Sequence, residues 1–301
     1  MKPTIGFIGI GNMGRPMSLH LLKADYPLVV HDVREDAVEP LKQAGAGTAS
    51  SPAEVARRSS IVITMLPTSS EVEAVVLGAG GVTEGLRPGG IVIDMSSAHP
   101  SSTRMLHGRL AAKGIRMIDA PVSGGVKGAV EATLSVMVGG DEKDFDEVRP
   151  ILQCMGQNIY YVGGPGCGHA MKALNNLCSA CSVAITSEAM VVATRLGLDP
   201  VKAVEILNAS SGRSWATQHK FPSFVLTRTF NSGFDIGLMN KDLDIALNLG
   251  RELRIPMYVG SMVQQLYRQA VAEGRSAECH TAIVKLLEEW SGVEVARPKE
   301  G

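Results

Sequence analysis

The feature that most constrains this chain is a glycine-rich turn between an apolar run and an amphipathic segment, in "TIGFIGIGNMGRPM" at residues 4–17. Three glycines stand there in a GxGxxG spacing. In a strand–turn–helix unit the first glycine permits the tight turn, the second lets the backbone approach a pyrophosphate, and the third lets the helix pack on the strand. The pattern predicts a turn and helix N-terminus that hold a dinucleotide. The predicted cofactor residues of this turn are Gly9, Gly11, Asn12, Met13 and Gly14.

The first half of the chain alternates between short apolar runs and helical segments. The predicted strands are "TIGFIGI", "PLVVHD", "SIVITMLP", "GIVIDMSS", "GIRMIDAP", "TLSVMVGG" and "NIYYVGG". Several are continuous apolar runs, which is typical of parallel strands buried on both faces. Ser51 followed by Pro52 indicates a helix start, with serine as the N-cap. The alternation predicts a doubly wound α/β sheet of the Rossmann type, forming a dinucleotide-binding domain over residues 1–163.

The second half changes character. Residues 165–290 show helical periodicity and no convincing strand. The segment "GHAMKALNNLCSACSVAITSEAMVVATRLG" predicts one helix of about thirty residues that ends at Gly197 and either links two domains or forms their shared core. We therefore expect an all-α C-terminal domain over residues 164–301, serving substrate binding and self-association.

Composition and charge argue against several classes of protein. The chain has 301 residues, of which 45% are hydrophobic and 20% charged, and its formal net charge is −1. Without an excess of positive charge, neither nucleic acid nor an anionic membrane is expected as a partner. No basic and apolar leader opens the chain, so a cytoplasmic protein is expected. The long apolar segment 178–196 carries Glu188 and Arg195, which indicates a buried helix rather than a membrane span.

Five cysteines, an odd number in a chain of this size, argue against a disulfide framework. Cys178 and Cys181 form a C-x-x-C pair without a second pair of zinc ligands, so no metal site is expected. Their Ala- and Val-rich surroundings favour packing of both thiols in the core.

A carboxylate at the end of the second predicted strand supports the dinucleotide prediction. Asp32 closes "LVVHD" and lies 18 residues after Gly14. Such a residue accepts hydrogen bonds from the adenosine ribose hydroxyls and repels a 2′-phosphate, which favours NAD over NADP. Arg34 keeps NADP open as the alternative, because a guanidinium can hold that phosphate.

Two further stretches contain candidate functional residues. "GHAMKALNN" places Lys172 and Asn176 four residues apart, hence on one face of the long helix. A lysine and an asparagine on one helical face commonly form a solvated surface, but this helix is expected to be mostly buried, so a lysine on it requires a functional reason. In "DAPVSGGVKGAVEATL" the small residues at 123–125 follow a strand, where they either expose backbone N–H groups to an anion or form a simple loop.

Four motifs, in this order, resemble the β-hydroxyacid dehydrogenase family: "GFIGIGNMGRPM", "DAPVSGGVKGA", "GCGHAMKALNN" and "GLMNKDLDIA". The resemblance covers nearly the whole chain. It implies an NAD(P)-dependent oxidoreductase that interconverts a small 3-hydroxy (hydroxymethyl) carboxylic acid and its semialdehyde. It implies Lys172 as the general acid/base and Asn176 as a substrate-orienting residue.

The resemblance assigns further positions. Ser123, Gly124 and Gly125 would hold the substrate carboxylate, and Trp215 and Phe234 are candidates for closing the site. The residues implied along the cofactor are Leu66, Pro67, Ser97, Phe234 and Lys241, of which the last would lie near the nicotinamide.

The identity of the substrate is open at this point. In "SSGRSWATQHK", Arg213, His219 and Lys220 either bind a second carboxylate or are surface cations. Because the stretch resembles that of a diacid-specific member of the family, a dicarboxylate and a monocarboxylate both stand as alternatives.

Two other functions also stand beside the dehydrogenase. One is an imine-reducing relative, which usually lacks the lysine, and the other is a dinucleotide-binding protein without catalysis. Lys172, Asn176 and the Ser-Gly-Gly stretch favour the dehydrogenase over both. Members of the family usually self-associate, so a homodimer or homotetramer is expected. Two positions depart from the family's pattern, since Ala132 replaces a common glycine and Cys279 a common aspartate.

Overall fold

The computed structural model describes residues 2–298. The chain divides into two compact units, Met1–Lys172 and Ala173–Gly301. The first unit is built on a sheet and the second on helices, as the sequence predicts. The confirmed fold class is a Rossmann-type doubly wound sheet followed by an all-α region.

One nine-stranded sheet organises the first unit, in the order β3-β2-β1-β4-β5-β6-β8-β7, with β9 paired to β8. The strands are β1 Ile5–Ile8, β2 Leu28–His31, β3 Gly47–Thr48, β4 Ile61–Thr64, β5 Ile91–Asp94, β6 Arg116–Asp119, β7 Val122–Ser123, β8 Leu134–Gly140 and β9 Gly156–Gly163. Strands β1 to β6 run parallel, with Ile5 in register with both Leu28 and Ile61. The strand order reverses between β1 and β4, which places the glycine turn after β1 at the usual dinucleotide position of such sheets.

The central strands are apolar at every position because both faces of the sheet are covered. In β4, Ile61 and Ile63 join one buried cluster, while Val62 joins the cluster on the opposite face. In β5, Ile91 and Ile93 alternate with Val92 in the same way. Side chains of successive strand residues point to opposite faces, so a strand buried on both faces requires a continuous apolar run.

The far edge of the sheet differs from a purely parallel arrangement. Strand β8 runs antiparallel to β6 and β7, and β9 returns parallel to β8. The apolar runs of β6 and β8 resemble those of β4 and β5, so the hydrophobic pattern does not distinguish a parallel from an antiparallel strand. Strand direction depends on the connections between strands.

Seven helices cover this sheet: α1 Gly14–Lys23, α2 Glu35–Gln43, α3 Pro52–Arg57, α4 Ser69–Leu77, α5 Pro100–Ala111, α6 Gly125–Glu131 and α7 Glu142–Leu152. A short 3₁₀ turn spans Val82–Glu84. The predicted start of α3 is confirmed, because the Ser51 hydroxyl accepts a hydrogen bond from the N–H of Glu54 and Pro52 is the first helical residue.

Helix α8, Cys167–Arg195, is 29 residues long and confirms the predicted long helix between the two halves of the chain. By length and composition alone it could also cross a membrane, a test that core helices of soluble proteins pass as well. Lys172 and Asn176 on this helix are both buried.

The prediction that both thiols of the C-x-x-C pair pack in the core was wrong for Cys178, which is exposed, whereas Cys181 is partly buried. Ala180 and Val183 of the same helix are fully buried, while Ile185 is 62% exposed. Helix α8 therefore buries one face only, and the apolar composition around Cys178 does not reveal which face that is.

The second unit contains α9 Pro200–Ala209, α10 Ile236–Glu252, α11 Tyr258–Ala272 and α12 Val284–Ser291, with a π-helical segment Ala216–Val225 and a 3₁₀ turn His280–Ile283. Its core includes Phe221 and Tyr267, both fully buried. Within its described residues, extended pairing is confined to a single bridge between Asp235 and Cys279.

Candidate active site

The glycine turn after β1 has the steric properties that the sequence predicts. Gly9 has a φ of +97°, and a Cβ there would lie 2.3 Å from the carbonyl oxygen of Met65. A Cβ on Gly14 would lie 1.9 Å from the carbonyl oxygen of Gly9, so neither position accepts a side chain. A Cβ on Gly11 meets nothing within 4 Å, which leaves open space above the turn for a pyrophosphate.

Helix α1 begins at this turn without a side-chain cap. Met13 is the N-cap residue and its side chain packs against the core of the first unit, while Asn12 is exposed. The first N–H groups of a helix carry partial positive charge and need acceptors. An uncapped N-terminus beside an open glycine turn fits a bound dinucleotide phosphate.

Asp32 lies directly after β2 and is fixed against the glycine turn. Its Oδ2 accepts a hydrogen bond of 2.7 Å from the N–H of Ile10, and its Oδ1 accepts one of 2.9 Å from the N–H of Arg34. The Arg34 Nε lies 3.6 Å from the same carboxylate, although the Arg34 side chain is 59% exposed. The carboxylate is therefore held in place beside the glycine turn.

The loops after β4 and β5 carry the next residues that the sequence predicts along the cofactor. The N–H of Leu66 donates a 2.9 Å hydrogen bond to the Ser96 hydroxyl, and the Leu66 side chain lies against the Gly9 position. Asp94, at the end of β5, accepts hydrogen bonds from the Thr64 hydroxyl and from the N–H of Ser96. The two remaining predicted residues on these loops are Pro67, which is exposed, and Ser97, which is partly buried.

The Ser-Gly-Gly stretch forms the turn between β7 and α6. Gly124 and Gly125 have φ values of +134° and +64°, so both positions favour glycine. Ser123 is partly buried at the end of β7. Ala132, which ends α6, adopts a left-handed conformation with a φ of +55°, and this explains why glycine is favoured there.

A buried polar network fixes the start of α8. The Asp119 carboxylate accepts hydrogen bonds from the N–H of Gly166 at 2.8 Å and from the N–H of His169 at 2.9 Å. The His169 ring contacts the Thr103 hydroxyl through Nδ1 at 2.7 Å and the Ser96 carbonyl oxygen through Nε2 at 3.1 Å. Since His169 lies three residues before Lys172, this network sets the position of the helix turn that carries the lysine.

Lys172 itself is 9% exposed, an unusual degree of burial for a lysine. Asn176 follows one helical turn later and is 6% exposed. Residues four apart on a helix share a face, so the structure keeps the two predicted side chains on one face of α8.

Asn176 is held by an acidic residue from α10. Its Nδ2 donates a 2.5 Å hydrogen bond to the Asp242 Oδ2, and the Lys241 ammonium lies 3.5 Å from the Asp242 Oδ1. Asp242 is 1% exposed. The structure thus links Asn176 and Lys241, both predicted site residues, through Asp242.

The remaining predicted residues of the second unit lie in different environments. Arg213 is exposed, and Trp215 is 62% exposed with its ring centroid 3.8 Å from that of His219. Phe234 is partly buried and contacts the His280 ring edge-on, with centroids 5.8 Å apart.

Sequence reasoning missed the residues that position the site. Asp242 lies in the motif "GLMNKDLDIA" directly after Lys241, and a carboxylate next to a predicted site lysine was the available signal. Asp119 ends a strand and His169 precedes Lys172 by three residues, but neither position by itself indicates a partner 50 residues away.

Two family models match most of this chain. One family model, described as the NAD binding domain of 6-phosphogluconate dehydrogenase, matches residues 4–163. A second, described as NAD-binding of NADP-dependent 3-hydroxyisobutyrate dehydrogenase, matches residues 166–287.

Two curated relatives and one solved structure match nearly the whole length of this chain. The 2-(hydroxymethyl)glutarate dehydrogenase of Eubacterium barkeri is 40% identical over 97% of this chain and 97% of its own length. The mitochondrial 3-hydroxyisobutyrate dehydrogenase of Homo sapiens is 39% identical over 96% of this chain and 88% of its own. The solved structure of Mycobacterium tuberculosis 3-hydroxyisobutyrate dehydrogenase with L-serine has a TM-score of 0.88 at 33% identity, covering 95% of this chain and 99% of that one.

The chain is a dinucleotide-dependent oxidoreductase. This class is defined by the fold, by the glycine turn with Asp32, and by the two family models. More particularly, the chain belongs to the β-hydroxyacid dehydrogenase family. It is an NAD(P)-dependent dehydrogenase of that family, and the resemblance drawn from its four sequence motifs is confirmed.

Proposed function

We propose that this protein oxidises a small 3-hydroxy (hydroxymethyl) carboxylic acid to its semialdehyde, and catalyses the reverse reduction, with Lys172 as the general acid/base. The observation that carries the proposal is the burial of Lys172, at 9% exposure, one helical turn before an asparagine fixed by a buried aspartate. A lysine is seldom buried unless it is paired or functional.

Each proposed site residue has a separate role in the reaction. In the oxidative direction the neutral Lys172 amine accepts the hydroxyl proton, and in the reductive direction its ammonium returns that proton to the carbonyl oxygen. Asn176, oriented by Asp242, donates a hydrogen bond to the reacting oxygen. Ser123 and the backbone N–H groups of Gly124 and Gly125 hold the substrate carboxylate.

The dinucleotide supplies the hydride acceptor or donor when bound. The residues proposed to hold it are Gly9, Gly11, Asn12, Met13, Gly14, Asp32, Leu66, Pro67, Ser97, Phe234 and Lys241. The open space over Gly11 and the uncapped N-terminus of α1 support the pyrophosphate position. We infer a preference for NAD because the Asp32 carboxylate, fixed by Ile10, repels a 2′-phosphate.

The substrate class follows from the relatives. One similar protein carries the name 2-(hydroxymethyl)glutarate dehydrogenase and another 3-hydroxyisobutyrate dehydrogenase, so we propose a hydroxymethyl acid with either one or two carboxylates. We also propose that residues 1–163 bind the cofactor and residues 164–301 serve substrate binding and self-association, in the cytoplasm. Exposed Ile185 and Val192 on α8 supply apolar surface for a homodimer or homotetramer.

The experiment is a nicotinamide absorbance assay with NAD and NADP against 3-hydroxyisobutyrate, 3-hydroxypropionate, glycerate, threonate, 2-(hydroxymethyl)glutarate, succinic semialdehyde and tartronic semialdehyde. We expect turnover of at least one hydroxymethyl acid. Lys172→Ala should lower kcat by about 10²- to 10⁴-fold while NAD binding remains. The matched control is Lys113→Ala, which removes an exposed lysine.

If no acid is turned over while NAD binds, the proposed substrate class fails, and the imine-reducing and non-catalytic alternatives are tested next. If Lys172→Ala retains full activity, another group is the acid/base. Retention of Lys172 in this chain favours the dehydrogenase over the imine-reducing alternative.

A further inference from the structure

A buried histidine in the first turn of α8 has no assigned role in the proposed reaction. His169 is 1% exposed, and both of its ring nitrogens contact other elements. Its Nε2 lies 3.1 Å from the carbonyl oxygen of Ser96, in the loop after β5, and its Nδ1 lies 2.7 Å from the hydroxyl of Thr103 on α5. A carbonyl oxygen only accepts hydrogen bonds, so Nε2 carries a proton and donates it to Ser96. The side chain therefore joins the start of α8 to the loop after β5.

Two buried carboxylates flank this ring. The Asp94 Oδ2 lies 3.8 Å from the His169 Nε2, and the Asp119 Oδ2 lies 3.9 Å from the Nδ1. Asp119 also accepts a hydrogen bond from the N–H of His169 itself, while Asp94 accepts one from the N–H of Ser96. Rotation of the ring would break both of its hydrogen bonds among groups that are themselves fixed, so the ring has one defined orientation.

The first turn of α8 has little freedom to move independently of this ring. A Cβ on Gly168 would lie 2.4 Å from the carbonyl oxygen of Met137, so the turn packs directly on β8. Residues three apart on a helix are neighbours on one face, which places His169 and Lys172 on the same side of α8. Because close-packed interiors transmit displacements, a shift of the His169 ring moves the backbone that carries Lys172.

Ser96 connects the same contact to residues predicted along the cofactor. Its hydroxyl accepts a 2.9 Å hydrogen bond from the N–H of Leu66, in the loop after β4, and Ser97 is the next residue in the chain. Ser96 is itself buried, and its carbonyl oxygen is the one that His169 contacts. All of these residues lie in the first compact unit, Met1–Lys172. A series of short hydrogen bonds and one helical turn therefore runs from the predicted cofactor loops to the candidate acid/base.

We propose that His169 is a positioning residue, which couples the loops predicted to hold the cofactor to the turn of α8 that carries Lys172. The coupling contact is the hydrogen bond from the His169 Nε2 to the Ser96 carbonyl oxygen. When the cofactor occupies those loops, His169 holds Lys172 where it exchanges a proton with the substrate hydroxyl. The inference rests on the proposed function and adds regulation of the same site by the cofactor. A displacement of about 1 Å in a catalytic group costs about 10²-fold in rate, so loss of this contact is measurable in kcat.

The kinetic test separates the two contacts of the ring. His169→Gln places its terminal amide near the position of Nε2 and keeps a donor for Ser96, whereas the shorter side chain of His169→Asn reaches only toward Thr103. The kcat for hydroxy acid oxidation should fall about tenfold to a hundredfold in His169→Asn, and His169→Gln should recover most of it. Thr103→Val removes only the Nδ1 contact, so it should lower the thermal stability but retain more of kcat than His169→Asn. The matched control is His107→Asn, which removes a partly exposed histidine on α5.

A second measurement does not depend on turnover. Amide hydrogen exchange, followed by mass spectrometry with and without NAD, reports on the loop 95–98 and on the first turn of α8, 167–172. NAD should slow exchange in both segments in wild type and in His169→Gln, but only in the loop in His169→Asn. If His169→Asn does not fold, Ser96→Ala gives the same comparison, because it removes the hydroxyl that Leu66 contacts.

The outcomes separate this inference from the proposed function. Equal losses of kcat in His169→Gln and His169→Asn would show a structural role alone and overturn the coupling, while the dehydrogenase stands. The coupling is also overturned if NAD leaves residues 167–172 unprotected in wild type, or protects them equally in His169→Asn. If no hydroxy acid reacts even in wild type, the proposed function fails, and the exchange measurement alone decides the coupling.

Discussion

The carboxylate of Asp32 accepts a 2.7 Å hydrogen bond from the backbone N–H of Ile10. This contact joins the end of β2 to the glycine turn after β1 and fixes the negative charge beside the site proposed for the adenosine ribose. A fixed charge discriminates between cofactors better than a mobile one, because moving it away from a 2′-phosphate would break its own hydrogen bonds.

Asp32→Asn tests this discrimination. The amide oxygen can still accept from Ile10, but the negative charge is gone, so repulsion of a 2′-phosphate is removed. We expect KM for NAD to rise roughly tenfold and the ratio of kcat/KM for NAD to that for NADP to fall by more than that. The measurement is this ratio at fixed substrate. Asp36→Asn, at an exposed position of α2, should leave it unchanged, and an unchanged ratio in Asp32→Asn would refute the assignment.

Asp242 is expected to act as a positioning residue for Asn176. Asp242→Ala leaves the Asn176 amide without its acceptor, so kcat should fall about tenfold to a hundredfold, while KM for NAD changes little. Asp242→Asn keeps an acceptor oxygen and should recover part of kcat. Asp244→Ala, on the same helix and paired with Arg268, serves as the control. A loss of stability in Asp242→Ala without any change in kcat would show a structural role alone.

The stability of the protein should depend on His280 in mildly acid solution. Burial and the nearby Lys220 charge lower the pKa of His280 from 6.5 to about 3. Between these values the unfolded chain binds more protons than the folded chain, so folding stability is fully present above pH 6.5 and decreases as pH falls toward 3.

Comparing pH 7.5 with pH 5 in urea unfolding, wild type should lose about 2 kcal/mol more than His280→Gln, at about 1.4 kcal/mol per pH unit. His219→Gln, which removes an exposed histidine, should retain the wild-type dependence. Equal losses in wild type and His280→Gln would mean that His280 is protonated without cost in the folded protein.

Ala132→Gly is expected to stabilise the protein. Ala132 has a φ of +55°, and the left-handed region costs an alanine about 1 kcal/mol that glycine does not incur. The free energy of unfolding should therefore rise by about 1 kcal/mol. Ala74→Gly, at an exposed position inside α4, should lower it by about the same amount. Two changes of the same sign would contradict the conformational explanation.

Several elements of the fold and the site could be predicted because their causes are local. Gly9 is required by its own positive φ of +97°, and Gly14 by a clash of any Cβ with the Gly9 carbonyl oxygen, and both causes lie within the strand–turn–helix unit. Ser51 and Pro52 start α3 through a hydrogen bond and a backbone angle that involve only a few neighbouring residues. The spacing of Lys172 and Asn176 places them on one face of any helix they share.

What surrounds those residues depends on contacts between distant parts of the chain. Asn176 meets Asp242, which is 66 residues away, and His169 meets Thr103 across the same separation. The antiparallel direction of β8 and the exposure of Cys178 also depend on contacts between distant parts of the chain.

By itself, then, the sequence determined seven of the nine described strands, all but the two-residue β3 and β7, together with the glycine turn and the long helix, since periodicity and steric limits act over a few residues. It identified the candidate acid/base through motifs shared with the family. Only the tertiary structure decided which carboxylates hold the residues before and after that lysine, with Asp119 bound to the N–H of His169 and Asp242 to the side chain of Asn176. The physical reason is that burial and pairing depend on which side chains the fold brings within hydrogen-bond distance, and no local pattern specifies that.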